Sequence, residues 1–102
     1  MTYNKLVRNR IPEIIAKDGK TVTFRMLNNN EEYIKALHDK LDEEVAEFHK
    51  EPTVEELIDI VEVAIALADE MGYNSMQFMR QRMEKEEFNG NFSKRIFLES
   101  VE

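Results

Sequence analysis

Two helix-forming runs separated by a single proline decide the fold of this chain: residues 44–68 read EVAEFHKEPTVEELIDIVEVAIALA. Pro52 ends the first run, and Thr53 is suited to cap a second helix, with Glu56 at the capping-box position. Before the proline, apolar residues recur every three or four positions, as on one face of an amphipathic helix: Ile34, Leu37, Leu41, Val45 and Phe48. The pattern predicts two long antiparallel helices, over about 30–50 and 53–71, joined by a short turn.

Shorter elements flank these two helices. Residues 9–17 carry isoleucines at helical spacing, with Pro12 in the first turn and Gly19 beyond the last, which predicts a short helix. Residues 21–26 (TVTFRM) alternate and are rich in β-branched types, which predicts an extended, strand-like segment. A last helix should begin at Asn74 or Ser75 and end near Gly90. The expected fold is an all-α helical bundle with a short N-terminal extended segment.

Composition bounds the organisation of the chain. With 102 residues, 3 glycines, 2 prolines and no low-complexity tract, it reads as one domain over residues 1–102. It has no cysteine, so thiolate metal sites and cysteine nucleophiles are excluded. The first residues carry charges and Pro12 where a secretory signal needs an unbroken apolar stretch, so we expect a cytoplasmic protein.

The net charge of −7 restricts the classes of partner. A surface of this sign repels DNA, RNA and anionic membranes, so we expect neither a nucleic-acid polymer nor a membrane as partner. No segment approaches the roughly 18 apolar residues of a membrane span. A small anionic substrate remains compatible with this charge if cations neutralise the acidic groups locally.

Acidic residues stand at unusual places on both long helices. On a helical wheel with Leu41 at zero, Glu44 falls at about −60°, on the border of the apolar stripe, and Glu47 lies beside it one turn later. Glu43 falls further round, where we expect an ordinary solvated glutamate. These positions put Glu44 and Glu47 along one edge of the first long helix.

The second long helix is apolar almost all round. Between Leu57 and Ala68 it carries only Asp59 and Glu62 as charged residues, and Glu56 lies one turn before Asp59. No lysine or arginine occurs between Lys50 and Arg80. A poorly solvated Asp59 would cost several kcal/mol unless it is paired, protonated or bound to a metal.

Antiparallel packing of the two helices brings Glu44 and Glu47 opposite Glu56 and Asp59, so we expect four carboxylates to converge. Their mutual repulsion calls for a divalent ion, and all-oxygen ligands suit Mg²⁺, with Mn²⁺ as a second possibility, better than Zn²⁺. The alternative is that these acids are solvated helix faces. Glu62 has three open roles: a further ligand, a residue that orients a ligand, or an ion-pair partner at a subunit contact.

The ordered set of motifs resembles a known family. EVAE at 44–47 and ELID at 56–59 match the ExxE and ExxD signature of the MazG-like all-α nucleoside triphosphate pyrophosphohydrolases. YNKLVRNRIPEII at 3–15, ADEMG at 68–72 and GNFSKRIFLE at 90–99 are similar to the phosphoribosyl-ATP pyrophosphohydrolase-like branch. Departures are the short gap of eight residues between Glu47 and Glu56, and asparagines at 9, 89 and 91.

The resemblance implies a helical fold that oligomerises and cleaves a nucleoside triphosphate between its α and β phosphates, giving a monophosphate and pyrophosphate. It implies metal ligation by four residues: Glu44, Glu47, Glu56 and Asp59. It further implies phosphate contacts from Lys5 and Arg8, with Lys85, Lys94 and Arg95 as weaker substrate-binding candidates. We assign the base that assists deprotonation of the attacking water to Glu47.

Several alternatives stay open at this stage. The substrate could be phosphoribosyl-ATP, as in histidine synthesis, or a canonical or modified nucleotide, as in nucleotide-pool housekeeping. A different class is a non-catalytic helical oligomerisation or interaction module, in which the apolar helix is simply a subunit core. In each case so apolar a helix predicts a homodimer or a homotetramer.

Overall fold

The structure is a computed structural model that describes all residues 1–102 and contains four helices and no strand. The helices are α1 (Ile11–Lys17), α2 (Asn30–Lys50), α3 (Val54–Glu70) and α4 (Ser75–Asn89). The prediction of an all-α fold is confirmed, and the predicted bounds of the two long helices agree with the structure to within one residue. None of the helices combines the length and apolar character needed to cross a bilayer.

Side-chain caps fix where the three longer helices begin. The Asn29 side chain accepts a hydrogen bond from the Glu32 backbone N–H, and Asn74 and Gln77 form a complete capping box. At α3 the Thr53 hydroxyl accepts from the Glu56 backbone N–H at 3.3 Å, but Glu56 makes no return bond to Thr53. The capping box expected there is therefore only half formed, which leaves the Glu56 carboxylate available for other contacts.

The α2–α3 hairpin is the packed part of the molecule. Residues 51–53 join the two helices, which pack against each other and carry the three buried apolar residues of the chain, Leu37, Val63 and Ala68. Burial raises the pKa of Tyr33, and the charges of Glu70 and Asp69 raise it further, so the start of α2 lies near the end of α3. This arrangement confirms the antiparallel pairing expected from the short turn.

The strand-like prediction for residues 21–26 is wrong, because the segment forms no regular secondary structure. A strand needs a partner for its backbone groups, and no other segment supplies one. Residues 4–6, 23–25 and Leu27 instead line a groove beside the first half of α2, and Arg25 forms an ion pair with Glu32 there. The β-propensity of residues 21–26 was therefore not enough to form a strand without a second strand to pair with.

The C-terminal third extends away from the hairpin. Gly72, with φ of +94°, lies between α3 and α4, and α4 packs on α3 but not on α2. Residues 90–102 are exposed throughout. The chain measures 59 × 32 × 24 Å, and its radius of gyration of 17.5 Å exceeds the ~13 Å typical of a compact domain of this size.

Replacing Leu37 by alanine tests the hairpin core. Leu37 is the most buried apolar residue, so Leu37→Ala should lower the free energy of unfolding by about 2–4 kcal/mol through lost burial and the cavity left behind. Ile34→Ala, on the same helix at an exposed position, is the control and should cost less. Urea unfolding followed by circular dichroism measures both, and equal losses would contradict this description of the core.

Candidate metal centre

Three carboxylates from two helices converge near the turn that joins α2 and α3. Glu44 comes from the last third of α2, and Glu56 and Asp59 come from the start of α3. One oxygen from each of the three lies within 4.8 Å of the other two. Antiparallel packing produces this meeting, because it places the end of α2 beside the beginning of α3.

Glu44 is the most buried acid of the three. It is 7% exposed and is the one buried charged residue of the chain, whereas Glu56 and Asp59 are half-buried. The sequence pattern had indicated Asp59 as the poorly solvated carboxylate. Asp59 is instead only half-buried, with 40% of its side chain exposed, and it is paired with Arg8.

Basic side chains offset much of the negative charge. Arg8 Nη2 donates to Asp59 Oδ1 at 2.8 Å, and Lys40 Nζ lies 3.1 Å from Glu44 Oε1. Two of the three clustered acids therefore already have a cationic partner. The expectation that only a divalent ion makes such a cluster tolerable was too strong, because the N-terminal segment and α2 supply positive charge locally.

Glu43 is not the ordinary solvated glutamate that the wheel predicted. It is half-buried, accepts a hydrogen bond from Lys5 Nζ at 2.9 Å and lies 3.4 Å from Lys40 Nζ. Partial burial would raise the pKa of Glu43, but the bonds and charges of Lys5 and Lys40 outweigh it and lower that pKa. The hydrogen bond to Glu43 correspondingly raises the pKa of Lys5.

Glu56 is the member of the cluster that forms no ion pair. Its pKa is raised, first by partial burial and then by the charges of Asp59, Glu44, Glu47 and Glu51. The charged form of Glu56 is thus disfavoured in the folded chain. A cation placed between Glu56 and its neighbours would relieve this repulsion.

Glu47 lies outside the three-carboxylate cluster. It is exposed, although it is close enough to contribute to the raised pKa of Glu56. Of the four carboxylates expected to converge, the structure brings together three. A step of three residues on a helix turns by about 300°, so Glu47 points about 60° away from Glu44 and off the α3 contact. Glu62 is also exposed and belongs to no cluster.

The donor set is chemically suited to a hard divalent cation. All three groups offer carboxylate oxygens, and Mg²⁺ takes oxygen ligands at about 2.0–2.1 Å, which puts neighbouring ligand oxygens about 3 Å apart and opposite ones about 4 Å apart. Separations of up to 4.8 Å are somewhat wider than this.

The basic residues predicted to bind substrate divide into two groups. Arg8 contacts the cluster and Lys5 contacts the adjoining Glu43. Lys85, Lys94 and Arg95 lie on α4 and the segment after it, and none of them forms an ion pair. Lys94 and Arg95 line an open groove with α4, and that groove contains none of the clustered acids.

Lys40 is the participant that the sequence reasoning missed. It is nearly buried, with 16% of its side chain exposed, and it bridges Glu43 and Glu44. The sequence spacing could have indicated this role, because Lys40 lies four residues before Glu44, and residues four apart on a helix are neighbours that can form an ion pair.

Comparisons with known proteins found one match over about half of the chain and no match that describes a function. No protein-family model and no solved structure matches the chain. A protein of Mycolicibacterium smegmatis, described as uncharacterized, is 51% identical over 49 residues, which are 48% of this chain and 49% of that protein. The match therefore spans about half the length of that relative.

Replacing Lys40 tests the buried ion pair. Lys40→Ala leaves the Glu44 carboxylate buried without a partner, so it should lower the free energy of unfolding by about 1–3 kcal/mol. Lys35→Ala is the matched control: it breaks the i,i+4 pair with Asp39 on the same helix, where the Lys35 side chain is 78% exposed. That change should stay within about 0.5 kcal/mol. Indistinguishable denaturation midpoints for the two variants would refute the role given to Lys40.

Replacing Glu56 tests the electrostatic repulsion in the cluster. Because its folded-state pKa is raised, ionised Glu56 destabilises the fold increasingly as pH rises above its ordinary value of 4.5. At neutral pH with a chelator, Glu56→Gln should therefore unfold at a higher temperature than Glu55→Gln, a control that removes the neighbouring exposed charge from the same helix turn. The difference should shrink as the pH is lowered and Glu56 takes up its proton. A lower melting temperature for Glu56→Gln would contradict the proposed repulsion.

Proposed function

We propose that this chain is a Mg²⁺-dependent nucleotide pyrophosphohydrolase that cleaves a nucleoside triphosphate or related nucleotide between its α and β phosphates. The observation that carries the proposal is the meeting of Glu44, Glu56 and Asp59 beside two basic side chains, Arg8 and Lys5. Phosphoanhydride hydrolysis needs this combination: oxygen ligands for a divalent cation, and positive groups for the phosphates. The resemblance of the ExxE and ExxD motifs supports the same assignment.

In this proposal the acidic residues of the site act as metal ligands or as the general base. Glu44, Glu56 and Asp59 would hold Mg²⁺ (or Mn²⁺), and Glu47, the fourth acid of the motif, would join them when substrate is present. Bound Mg²⁺ would polarise phosphate oxygens and lower the pKa of a coordinated water. Glu47 is exposed at the edge of the cluster, where a carboxylate has access to water, so it remains our candidate for the assisting base.

Arg8 would change partner during binding. In the chain as described it is paired with Asp59, at a distance that leaves no room for a cation between the two groups. If Asp59 held a cation, Arg8 would be free to leave this pair and make a bidentate contact with a phosphate. Lys5, paired with Glu43 nearby, would add a second positive charge. Lys85, Lys94 and Arg95 would reach the site only from another copy of the chain or after a rearrangement.

A non-catalytic interaction module is the second candidate, and one observation favours it. Arg8 and Lys40 already pair with two of the three clustered acids, so the cluster also makes sense as a stabilising ion-pair network. Under this reading the exposed apolar residues of α3 serve association with other copies. The two candidates differ in one measurable property, which is metal-dependent release of pyrophosphate.

The proposal also covers the localisation, the oligomeric state and the cellular role of the protein. We propose a cytoplasmic protein that assembles as a homodimer or homotetramer and acts in nucleotide-pool housekeeping. Cleavage of phosphoribosyl-ATP in histidine synthesis is the alternative activity of the same site, since both reactions break the same type of bond. Substrate comparison separates these two roles.

The experiment measures pyrophosphate release from canonical and modified dNTPs and from phosphoribosyl-ATP, with Mg²⁺ and with a chelator. We expect turnover that depends on the metal. Asp59→Asn should lower this turnover by more than 100-fold, because loss of a residue that only supports a metal ligand costs roughly 10–100-fold. Asp69→Asn, an exposed aspartate of the same helix outside the cluster, is the control and should retain activity. Folding of both variants is checked by circular dichroism.

Two results would contradict the proposal. Absence of pyrophosphate release from every nucleotide of the panel favours the interaction module. Full turnover by folded Asp59→Asn removes the acidic cluster from the chemistry.

A further inference from the structure

The groove beside the first half of α2 has the size of a small-molecule site. Its volume is about 530 Å³, within the roughly 300–1,000 Å³ of ligand pockets in proteins. Residues 4–6, 23–25 and Leu27 line it together with four residues of α2: Glu32, Lys35, Ala36 and Asp39. We call it the N-terminal groove.

Lys5 connects the N-terminal groove to the acidic cluster. It lines the groove, and its Nζ donates to Glu43 Oε1 at 2.9 Å. The pKa of Lys5 is raised by that hydrogen bond and by the charges of Glu43 and Glu44, so its ammonium group lies near the cluster. Asp39, which also lines the groove, is five residues before Glu44, or about 7.5 Å along α2. The groove and the cluster are therefore neighbours along this helix.

Most charges inside the groove are paired with one another. Arg25 pairs with Glu32, and Lys35 pairs with Asp39, so both acids that line the groove already have a basic partner. Lys5 is the remaining basic residue, and its partner lies outside the groove. The lining is thus balanced in charge, with one additional positive group on the side of the cluster.

Uncharged side chains of the groove are placed to contact a flat ligand with polar edges. Phe24 lines the groove and is 63% exposed, so its aromatic ring is available for stacking. The Asn4 and Thr23 side chains also line the groove, and neither forms a hydrogen bond within the chain. An aromatic ring beside a few free polar groups is the combination that nucleobases require.

We propose that the N-terminal groove holds the nucleoside part of the substrate, with the base stacked on Phe24 and the phosphates directed past Lys5 to the acidic cluster. This inference rests on the proposed function, because it takes a nucleotide as the ligand of the cluster. The uncharged base and sugar suit the balanced part of the groove, and the phosphates suit the end where Lys5 adds positive charge. The Asn4 amide and the Thr23 hydroxyl then select among bases through hydrogen bonds.

The open groove along α4 is larger, at about 1350 Å³, but it lacks a link to the cluster. None of its lining residues forms an ion pair with the clustered acids. Phe92 lines this second groove and is 96% exposed. It is therefore the matched control for Phe24, as an exposed phenylalanine in a groove without a connection to the metal centre.

Steady-state kinetics test the groove, with the most rapidly cleaved nucleotide of the panel as substrate. Phe24→Ala should raise KM about 5–150-fold, the range expected when a base loses its aromatic partner, and should leave kcat nearly unchanged. Inorganic triphosphate, added as a competitive inhibitor, has no base, so its inhibition constant should be the same for Phe24→Ala and the native chain. Phe24→Tyr keeps the ring and should keep KM near the native value, and Phe92→Ala should do so as well.

The outcomes separate this inference from the proposed function. Turnover with an unchanged KM in Phe24→Ala overturns the inference and leaves the proposed function standing. The inference is also overturned if KM rises in Phe92→Ala instead, or if the inhibition constant of triphosphate rises together with KM. No turnover by the native chain overturns the proposed function and this inference with it. Circular dichroism checks that both alanine variants remain helical.

Discussion

The antiparallel contact between α2 and α3 is the constraint on which the rest of the structure depends. The three-residue connection around Pro52 makes the two helices fold back on each other, and the buried apolar residues Leu37, Val63 and Ala68 all lie on these two helices. The same contact sets the acids of α2 beside those of α3. The candidate metal centre is thus a direct product of the packing that makes the fold.

Positive side chains pair with two of the three clustered carboxylates in this hairpin, but not with the third. Lys40 pairs with the buried Glu44, and Arg8 pairs with Asp59, while Glu56 has a raised pKa and no cation. Under the proposed function, a divalent ion would relieve the repulsion between Glu56 and the neighbouring carboxylates.

Sequence patterns predicted the helices well because helical periodicity and capping are local properties. They predicted the segment 21–26 badly, since a strand depends on a partner that no local pattern reports. At the site, wheel positions identified Glu44 and Asp59 but not which of them is buried, because burial depends on what the rest of the chain covers. The pairing of Arg8 with Asp59 joins residues far apart in sequence, so only the folded chain could reveal it.

Binding of Mn²⁺, followed by electron paramagnetic resonance, tests whether Glu44, Glu56 and Asp59 hold a divalent cation, and it does so without requiring the substrate. We expect a bound ion whose affinity falls at least tenfold, or about 1.4 kcal/mol, in Glu44→Gln, Glu56→Gln and Asp59→Asn. Removing the competing guanidinium in Arg8→Gln should raise the affinity, and Glu55→Gln should leave it unchanged. No binding by the native chain, or equal binding by all of these variants, would contradict it.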